Sequence, residues 1–304
     1  MVAISTDCIK TAFCTEHVKG ILKQISDAGF SHVQWMHEWN GIYQYSESEM
    51  YQIKNWLNDL SLDVKGVHAS DGTLQSHFDD RKMFISPNEA NRVAGVELVK
   101  NRIDLANILN AGEIVLHLKL FNIIFPQSEY CIFEDTYWIQ VYKSLDEIID
   151  YSKTKNINVA IENMEHPFEV YQFEQFDKLF AKYDKADLGF CYDLGHNMIV
   201  NSDNPFSFVE RYNDRLINIH LNAGLYNVDH VEDYREVLKL DAHNVLQMDE
   251  LDYDRLARII AKSPYELPVC FEVSLRDKVE KGLSKTLELG NYLDDLIRNY
   301  RSEK

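Results

Sequence analysis

Eight short apolar runs recur along the chain, each separated from the next by a longer amphipathic stretch. They fall at 2–5, 32–36, 63–67, 113–116, 158–161, 188–192, 216–219 and 269–271. Continuous apolar runs this short suit strands buried on both faces of a parallel sheet. Helices are expected at 16–28, 47–60, 86–109, 135–154, 171–184, 204–213, 250–262 and 277–299. In "SPNEANRVAGVELVKNRIDLANIL", Ser86, Pro87 and Glu89 read as a capping box, and Val93, Val96, Val99, Ile103 and Ala106 form a stripe at helical spacing. Eight strands alternating with eight helices over 304 residues favour an α/β fold of the closed (β/α)8 type, a TIM barrel, over a doubly wound sheet. No repeat, low-complexity tract or linker divides the chain, so 1–304 is expected to be one domain.

A net charge of −18, with no cluster of Lys or Arg, attracts cations and argues against nucleic acid as a partner. The five cysteines are scattered, odd in number and without C-x-x-C spacing, as free thiols in a reducing compartment would be. The N-terminus lacks a basic region followed by an apolar stretch, and no window approaches ~18 apolar residues. A cytoplasmic protein without a membrane span is therefore expected, and homo-oligomerisation is left open. Three long connections, 70–85, 118–134 and 221–249, all follow a strand, on the side where barrels build their sites.

The residues that end the runs carry the chemistry. His68 follows the third run, His117 the fourth, Glu162 the fifth, Asp193 the sixth, His220 the seventh and Glu272 the eighth. A lone aspartate after a strand ordinarily caps the next helix, and a lone histidine there is ordinarily a satisfied polar residue. In a closed barrel, however, the carboxyl ends of all strands converge on one mouth. Carboxylates and imidazoles crowded there without a cation would cost several kcal/mol in repulsion and desolvation, which a divalent metal removes. Glu162, Asp193, His220 and Glu272 are the expected ligands, three oxygens and one nitrogen, a set that suits Mn2+, Zn2+, Co2+ or Mg2+ without choosing among them. His196, one turn past Asp193, and Asp241 with His243 in "KLDAHNV" are further candidates. Trp35, His37 and Trp39, in "QWMHEWNG", lie where aromatic rings serve either as core or as a stacking surface for a sugar. Neither a G-x-S-x-G elbow nor phosphate-loop glycine spacing is present.

"AIEN", "YDLGH", "IHLN" and "FEVS", in this order, resemble the xylose-isomerase-like barrels. These include sugar isomerases and epimerases, inosose-processing enzymes and endonucleases that cut DNA at abasic sites. In the sugar branch, the resemblance implies Glu162, Asp193, His220 and Glu272 as ligands of one cation, with His196 touching substrate. In the abasic-site branch it implies three zinc ions, and every position has a counterpart here: His68, His117, Glu162, Asp193, His196, His220, Asp241, His243 and Glu272. Each branch also has departures. Ala69, Ser70 and Asp71 follow His68 in place of the endonucleases' proline and wedge aromatic, and "NAG" stands for their "NDS". Acidic residues Glu129, Glu134, Asp229, Glu232 and Asp233 would repel a phosphate backbone. The epimerases' arginine after the strand-seven histidine is missing, with Tyr226 and Asn227 in that region.

The expected function is a metal-dependent isomerase or epimerase of a small sugar or polyol ketone, with Glu162 and Glu272 moving the proton through an enediolate. The alternatives are a multi-zinc phosphoesterase, a polyol dehydratase or lyase, and a binding barrel without catalysis.

Overall fold

The computed structural model describes residues 1–9, 15–39, 41–72, 82–119, 130–166, 169–227, 229–231, 233–275 and 279–303. Eight parallel strands close into one barrel in chain order: β1 (Val2–Ser5), β2 (His32–Trp35), β3 (Asp63–His68), β4 (Glu113–His117), β5 (Asn158–Glu162), β6 (Gly189–Asp193), β7 (Leu216–Leu221) and β8 (Val269–Phe271). Pairing of β1 with β8 completes the ring. Around it lie α1 (Thr15–Asp27), α2 (Glu47–Asp59), α3 (Glu89–Leu109), α4 (Tyr130–Lys155), α5 (Glu169–Lys182), α6 (Leu194–Val200), α7 (Ser207–Arg211), α8 (Tyr234–Val237), α9 (Tyr253–Ala261) and α10 (Val279–Ser302). No described helix is long and apolar enough to cross a membrane.

Outward-facing strand residues such as Ile114, Val159 and Phe190 join the helix faces in one large apolar core. The lumen is different. Val115, Ala160 and Cys191, with Ile217, form a small separate apolar cluster there. Alternate residues of a strand face the same side, so these three sit directly beneath His117, Glu162 and Asp193.

Several boundaries differ from the sequence reading. Strands β3 to β6 run on through their polar last residues, because the ladder pairs His117 with Glu162 and Asp193 with His220. The capping box is not at Ser86. Asn88 caps α3 by accepting from the amides of Ala90 and Asn91, while Glu89 is drawn into a salt bridge with Arg92. A capping box does exist on α2, between Ser46 and Glu49. Of the α3 stripe, Val96, Val99, Ile103 and Ala106 are buried, whereas Val93 is exposed. The short α6 was not anticipated at all. Cys8, Cys191 and Cys270 are free and buried; Cys14, His77 and the side chain of Cys131 lie outside the described residues.

Candidate metal centre

His220 is the hub of the mouth. Its Nδ1 lies 2.9 Å from Glu162 Oε1, 2.7 Å from Glu272 Oε2 and 4.0 Å from Asp193 Oδ2. One ligand atom from each of these four buried residues falls within 4.8 Å of all the others. Residues 58 and 52 positions apart along the chain are thus brought to one point by strand register alone.

Glu162 divides its oxygens. Oε1 faces His220, while Oε2 lies 3.2 Å from His117 Nε2 and 3.6 Å from His68 Nε2. The two imidazole Nε2 atoms are 2.9 Å apart. A second ligand group, His68, His117 and Glu162, therefore shares a carboxylate with the first. A third group comes from the loop after β7. Asp241 Oδ1 is 2.9 Å from His243 Nε2 and 3.6 Å from His196 Nε2, and His243 Nδ1 is 3.4 Å from Glu272 Oε1.

Three of the five imidazoles are oriented from behind. His68 Nδ1 is 3.0 Å from the Ala69 carbonyl, His117 Nδ1 is 3.3 Å from Asp71 Oδ2, and His196 Nδ1 is 2.8 Å from the Asn163 carbonyl. Each acceptor takes the Nδ1 hydrogen and leaves Nε2 turned toward a ligand group, the arrangement that metal-binding histidines use. Asp71 is itself held by Lys119 Nζ at 3.0 Å.

The local sequence explains how Asp193 is placed. It caps α6, with Oδ1 accepting from the His196 amide at 2.6 Å, and its Oδ2 accepts from Asn222 at 2.8 Å. The ordinary capping role thus coexists with a place in the candidate ligand group. Asn163 clamps the Asp193 backbone through two hydrogen bonds of 2.8 Å, donating to its carbonyl and accepting from its amide. A Cβ at position 195 would run into Asn222 Oδ1, so only glycine fits between the two strand ends. The asparagine of "AIEN" and the glycine of "DLGH" are explained by these contacts.

The donor set fits a cation on two grounds. Its oxygens and imidazole nitrogens are the ligands divalent metals take. Moreover, Glu272 Oε2 and Asp241 Oδ1 are buried without a hydrogen bond, although each lies within 2.9 Å of a ring nitrogen. Those contacts are too far out of line for a ring N–H to serve them, as expected where lone pairs converge on a common point.

Without a cation, protons balance the charge. Burial works against a charged His117, yet Asp71 and Glu162 raise it to about 10. His243 is likewise lifted to about 10, by Glu272 and Asp241 against burial. Burial would raise Glu272, but His220 and His243 pull it down to about 2. Burial dominates at Asp193, which is pushed up to about 6.

All nine ligand candidates meet at the mouth; the aromatic candidates divide. Trp39 packs on the histidine pair, its ring centre 5.1 Å from that of His68 and 5.4 Å from that of His117. Trp35 offers no face to a sugar, because it is wholly buried and donates to the Tyr45 hydroxyl. His37 lies edge-on to Trp35 in the same outer packing. Arg102 of α3 donates to the carbonyls of Glu38 and Tyr43 and so pins the loop that carries Trp39. Glu129, Glu232 and the side chain of Glu134 lie outside the described residues.

Sequence reading missed Asp71, Lys119, Asn163, Asn222 and Gln34, which act on other side chains and follow no strand-end rule. It also missed Glu165, 3.8 Å from His196 Nε2, and Asp7 just past β1, whose carboxyl is raised by burial and then by Glu272. Asp7 obeys the strand-end pattern and was there to be found.

Among known proteins, the family model described as xylose isomerase-like TIM barrel matches residues 22–293. An uncharacterized protein of Sinorhizobium fredii, y4fM, is 29% identical over 275 residues, covering 86% of this chain and 82% of that one. A solved D-tagatose 3-epimerase-like protein covers 98% of both chains at 16% identity with a TM-score of 0.66. D-allulose 3-epimerase from Methylomonas sp. covers 96% of this chain and 97% of its own at 14% identity, TM-score 0.68. At such identities the solved structures establish the fold, and the family match establishes the lineage: the chain belongs to the xylose isomerase-like TIM barrel family.

Proposed function

We propose that this protein is a divalent-metal-dependent isomerase or epimerase of a small sugar or polyol ketone, acting by proton transfer next to the carbonyl. The observation that carries this reading is that two glutamates, Glu162 and Glu272, lie 2.9 and 2.7 Å from His220 Nδ1 in one ligand group. Epimerisation needs a carboxylate on either face of the reacting carbon, one to take the proton and one to return it. Proteins named as D-allulose and D-psicose 3-epimerases share the fold, which supports the same class.

Glu162, Asp193, His220 and Glu272 would hold the cation, which when bound polarises the carbonyl and lowers the cost of the enediolate by several kcal/mol. Glu162 and Glu272 are the two bases, each acting through the oxygen it does not give to the cation. A proton taken by Glu162 at Oε2 can pass to His117 Nε2 at 3.2 Å, with Asp71 steadying the far side of that ring. His196, anchored by Asn163, would contact a substrate hydroxyl, and Trp39 would cover the histidine pair. Replacing Glu162 by Gln should slow exchange of the substrate α-proton with deuterated solvent by about 10²–10⁴-fold while leaving the circular dichroism unchanged. Undiminished exchange would remove Glu162 as a base.

A second reading, hydrolysis of a small phosphate ester, is favoured by the oxygens of Glu162 and Glu272, which each reach two ligand groups. Bridging carboxylates belong to centres of two or three cations, which assist displacement at phosphorus. Elemental analysis of protein purified without added metal separates the readings. One labile ion favours the isomerase; two or three tightly held zinc ions, with turnover of an aryl phosphate, favour the hydrolase. The charge of −18 weighs against a polyanionic substrate such as DNA in either case.

A further inference from the structure

Arg102 of α3 is wholly buried, yet its guanidinium is spent on neutral oxygens. Nη1 donates to Asn101 Oδ1 at 2.8 Å, and Nη2 donates to the carbonyls of Glu38 at 2.8 Å and Tyr43 at 3.0 Å. Its Nε has no hydrogen bond, and its Cζ lies 4.6 Å from the centre of the Tyr45 ring. A buried cation with one N–H unsatisfied carries a desolvation cost that an apolar residue in its place would spare. What Arg102 holds therefore explains it better than the core in which it sits.

It holds the loop between β2 and α2, and through that loop Trp39. Next to it, Asn101 Oδ1 accepts from the Tyr45 amide and Asn101 Nδ2 donates to the Tyr45 carbonyl, both at 2.9 Å. From the other side, the Asp71 amide donates to the Trp39 carbonyl at 2.9 Å, and Ser70 Oγ to the Gly41 carbonyl at 2.5 Å. Between these two grips Glu38 stands at φ 56°, a left-handed conformation that a non-glycine residue keeps only under restraint from its surroundings. Arg102 supplies part of that restraint, because the Glu38 carbonyl is one of those it takes. The turn delivers the indole onto His68 and His117, half-buried, so that part of the ring stays open beside the ligand groups.

Resting on the reading that a sugar or polyol binds at this mouth, we propose that Trp39 is the specificity-determining wall of the site and Arg102 the residue that positions it. Carboxylates and imidazoles answer the hydroxyls and the carbonyl of such a ligand. The indole answers its C–H side, which those groups leave uncovered. Arg102 does not touch the ligand and acts only through Trp39. Substrate choice is thereby set in part from the outer layer of the barrel.

The test uses protein labelled with fluorotryptophan, in which Trp39→Phe identifies the Trp39 resonance. In Arg102→Met that resonance should move and broaden while those of Trp56 and Trp138 stay in place. In Arg102→Lys, which still reaches one carbonyl, it should move less. An unmoved Trp39 resonance, or equal movement of all of them, would overturn the positioning role. D-Fructose, D-xylulose and myo-inosose, each with Mg2+, are the ligand probes. Those that bind should shift the wild-type Trp39 resonance, and Trp39→Ala should weaken their binding about 2–10-fold, the worth of an aromatic contact. The double variant Arg102→Met/Trp39→Ala should bind no more weakly than Trp39→Ala alone. Additive losses, or binding that leaves Trp39 unmoved, would overturn the wall. Should Arg102→Met fail to fold, Arg102→Lys carries both measurements. If calorimetry finds none of the three probes bound to wild type, the sugar reading fails and takes the wall with it, whereas the spectra recorded without ligand still decide Arg102.

Discussion

Two of the ligand groups at the mouth are built in opposite ways. His68, His117 and Glu162 stand on three neighbouring strands, with side chains 0, 9 and 1% exposed. Their partners Ala69 and Asp71 follow β3 within three residues. Asp241 and His243 come from the loop after β7 and are 21 and 22% exposed, with only His196 drawn from the short α6. Strand register leaves the first group almost no freedom, whereas the second depends on a loop tied down by the Ala223–Asn244 bridge. Cations should accordingly be held tightly in the strand-built group and exchange readily from the loop-built one.

The largest effect is expected from Glu162→Ala. Its carboxylate serves two groups, so metal binding there should fall beyond the ~100-fold ceiling of an outer-shell change, whereas His243→Ala should cost only the most labile ion. Calorimetric titration of both variants checks this, and equal losses would end the contrast. Next comes Asp71→Asn, which keeps the shape but weakens the acceptor behind His117. It should lower affinity of the strand-built group by about 10–100-fold and leave the loop-built group untouched, as read by competition with a chromophoric chelator. Gly195→Ala pushes Asn222 away from Asp193. The overpacking should cost about 1–3 kcal/mol in urea unfolding, and the central group should bind more weakly while the His68–His117 pair does not.

The smallest effect concerns pH. In metal-free protein, His117 and His243 titrate at about 10 in place of 6.5, so their contribution is complete below pH 6.5 and is lost as pH rises through 10. Glu272 is lowered from 4.5 to about 2, so its contribution is complete above pH 4.5 and is lost as pH falls through 2. Asp193, raised from 3.8 to about 6, loses its contribution as pH rises through 6, so the chelated protein should melt highest near pH 4.5 and decline on the alkaline side. The decline should flatten more in His117→Gln than in His243→Gln, because the more exposed ring is better screened. Metal-loaded protein should lack the alkaline decline up to pH 10, as its ligands are already deprotonated. Melting curves of the four samples against pH decide the point.

The barrel and the gathering of candidate ligands at its mouth were legible because both obey local rules. A Val- or Ile-rich run marks a buried strand, and a carboxylate or imidazole at its carboxyl end reaches the mouth of any closed barrel. What stayed hidden was relational. Gln34 reads as a polar interruption of β2 until the closed ring sets it under His220, from a residue 186 positions away. Asp71 reads as a loop residue until the β3–β4 pairing brings His117 alongside. Trp35 and Trp39 are alike as letters, and the left-handed turn at Glu38, φ 56°, helps send one into the packing and the other over the histidines. Ser86 and Glu89 made a plausible cap, but Arg92 claimed the glutamate. Each of these outcomes was settled by a partner distant along the chain or by a competing charge.

Pairing of β1 with β8 has one more consequence. Glu272 stands just beyond β8, the strand that meets β1 to finish the circle, so the last ligand arrives only when the cylinder is whole. An ion gripped by Glu162, His220 and Glu272 together acts as a clasp: it binds the finished ring and not the open curl, and its binding energy adds directly to closure by mass action. If such an ion is bound, chelation should loosen the seam between β1 and β8 before it disturbs β4 to β6.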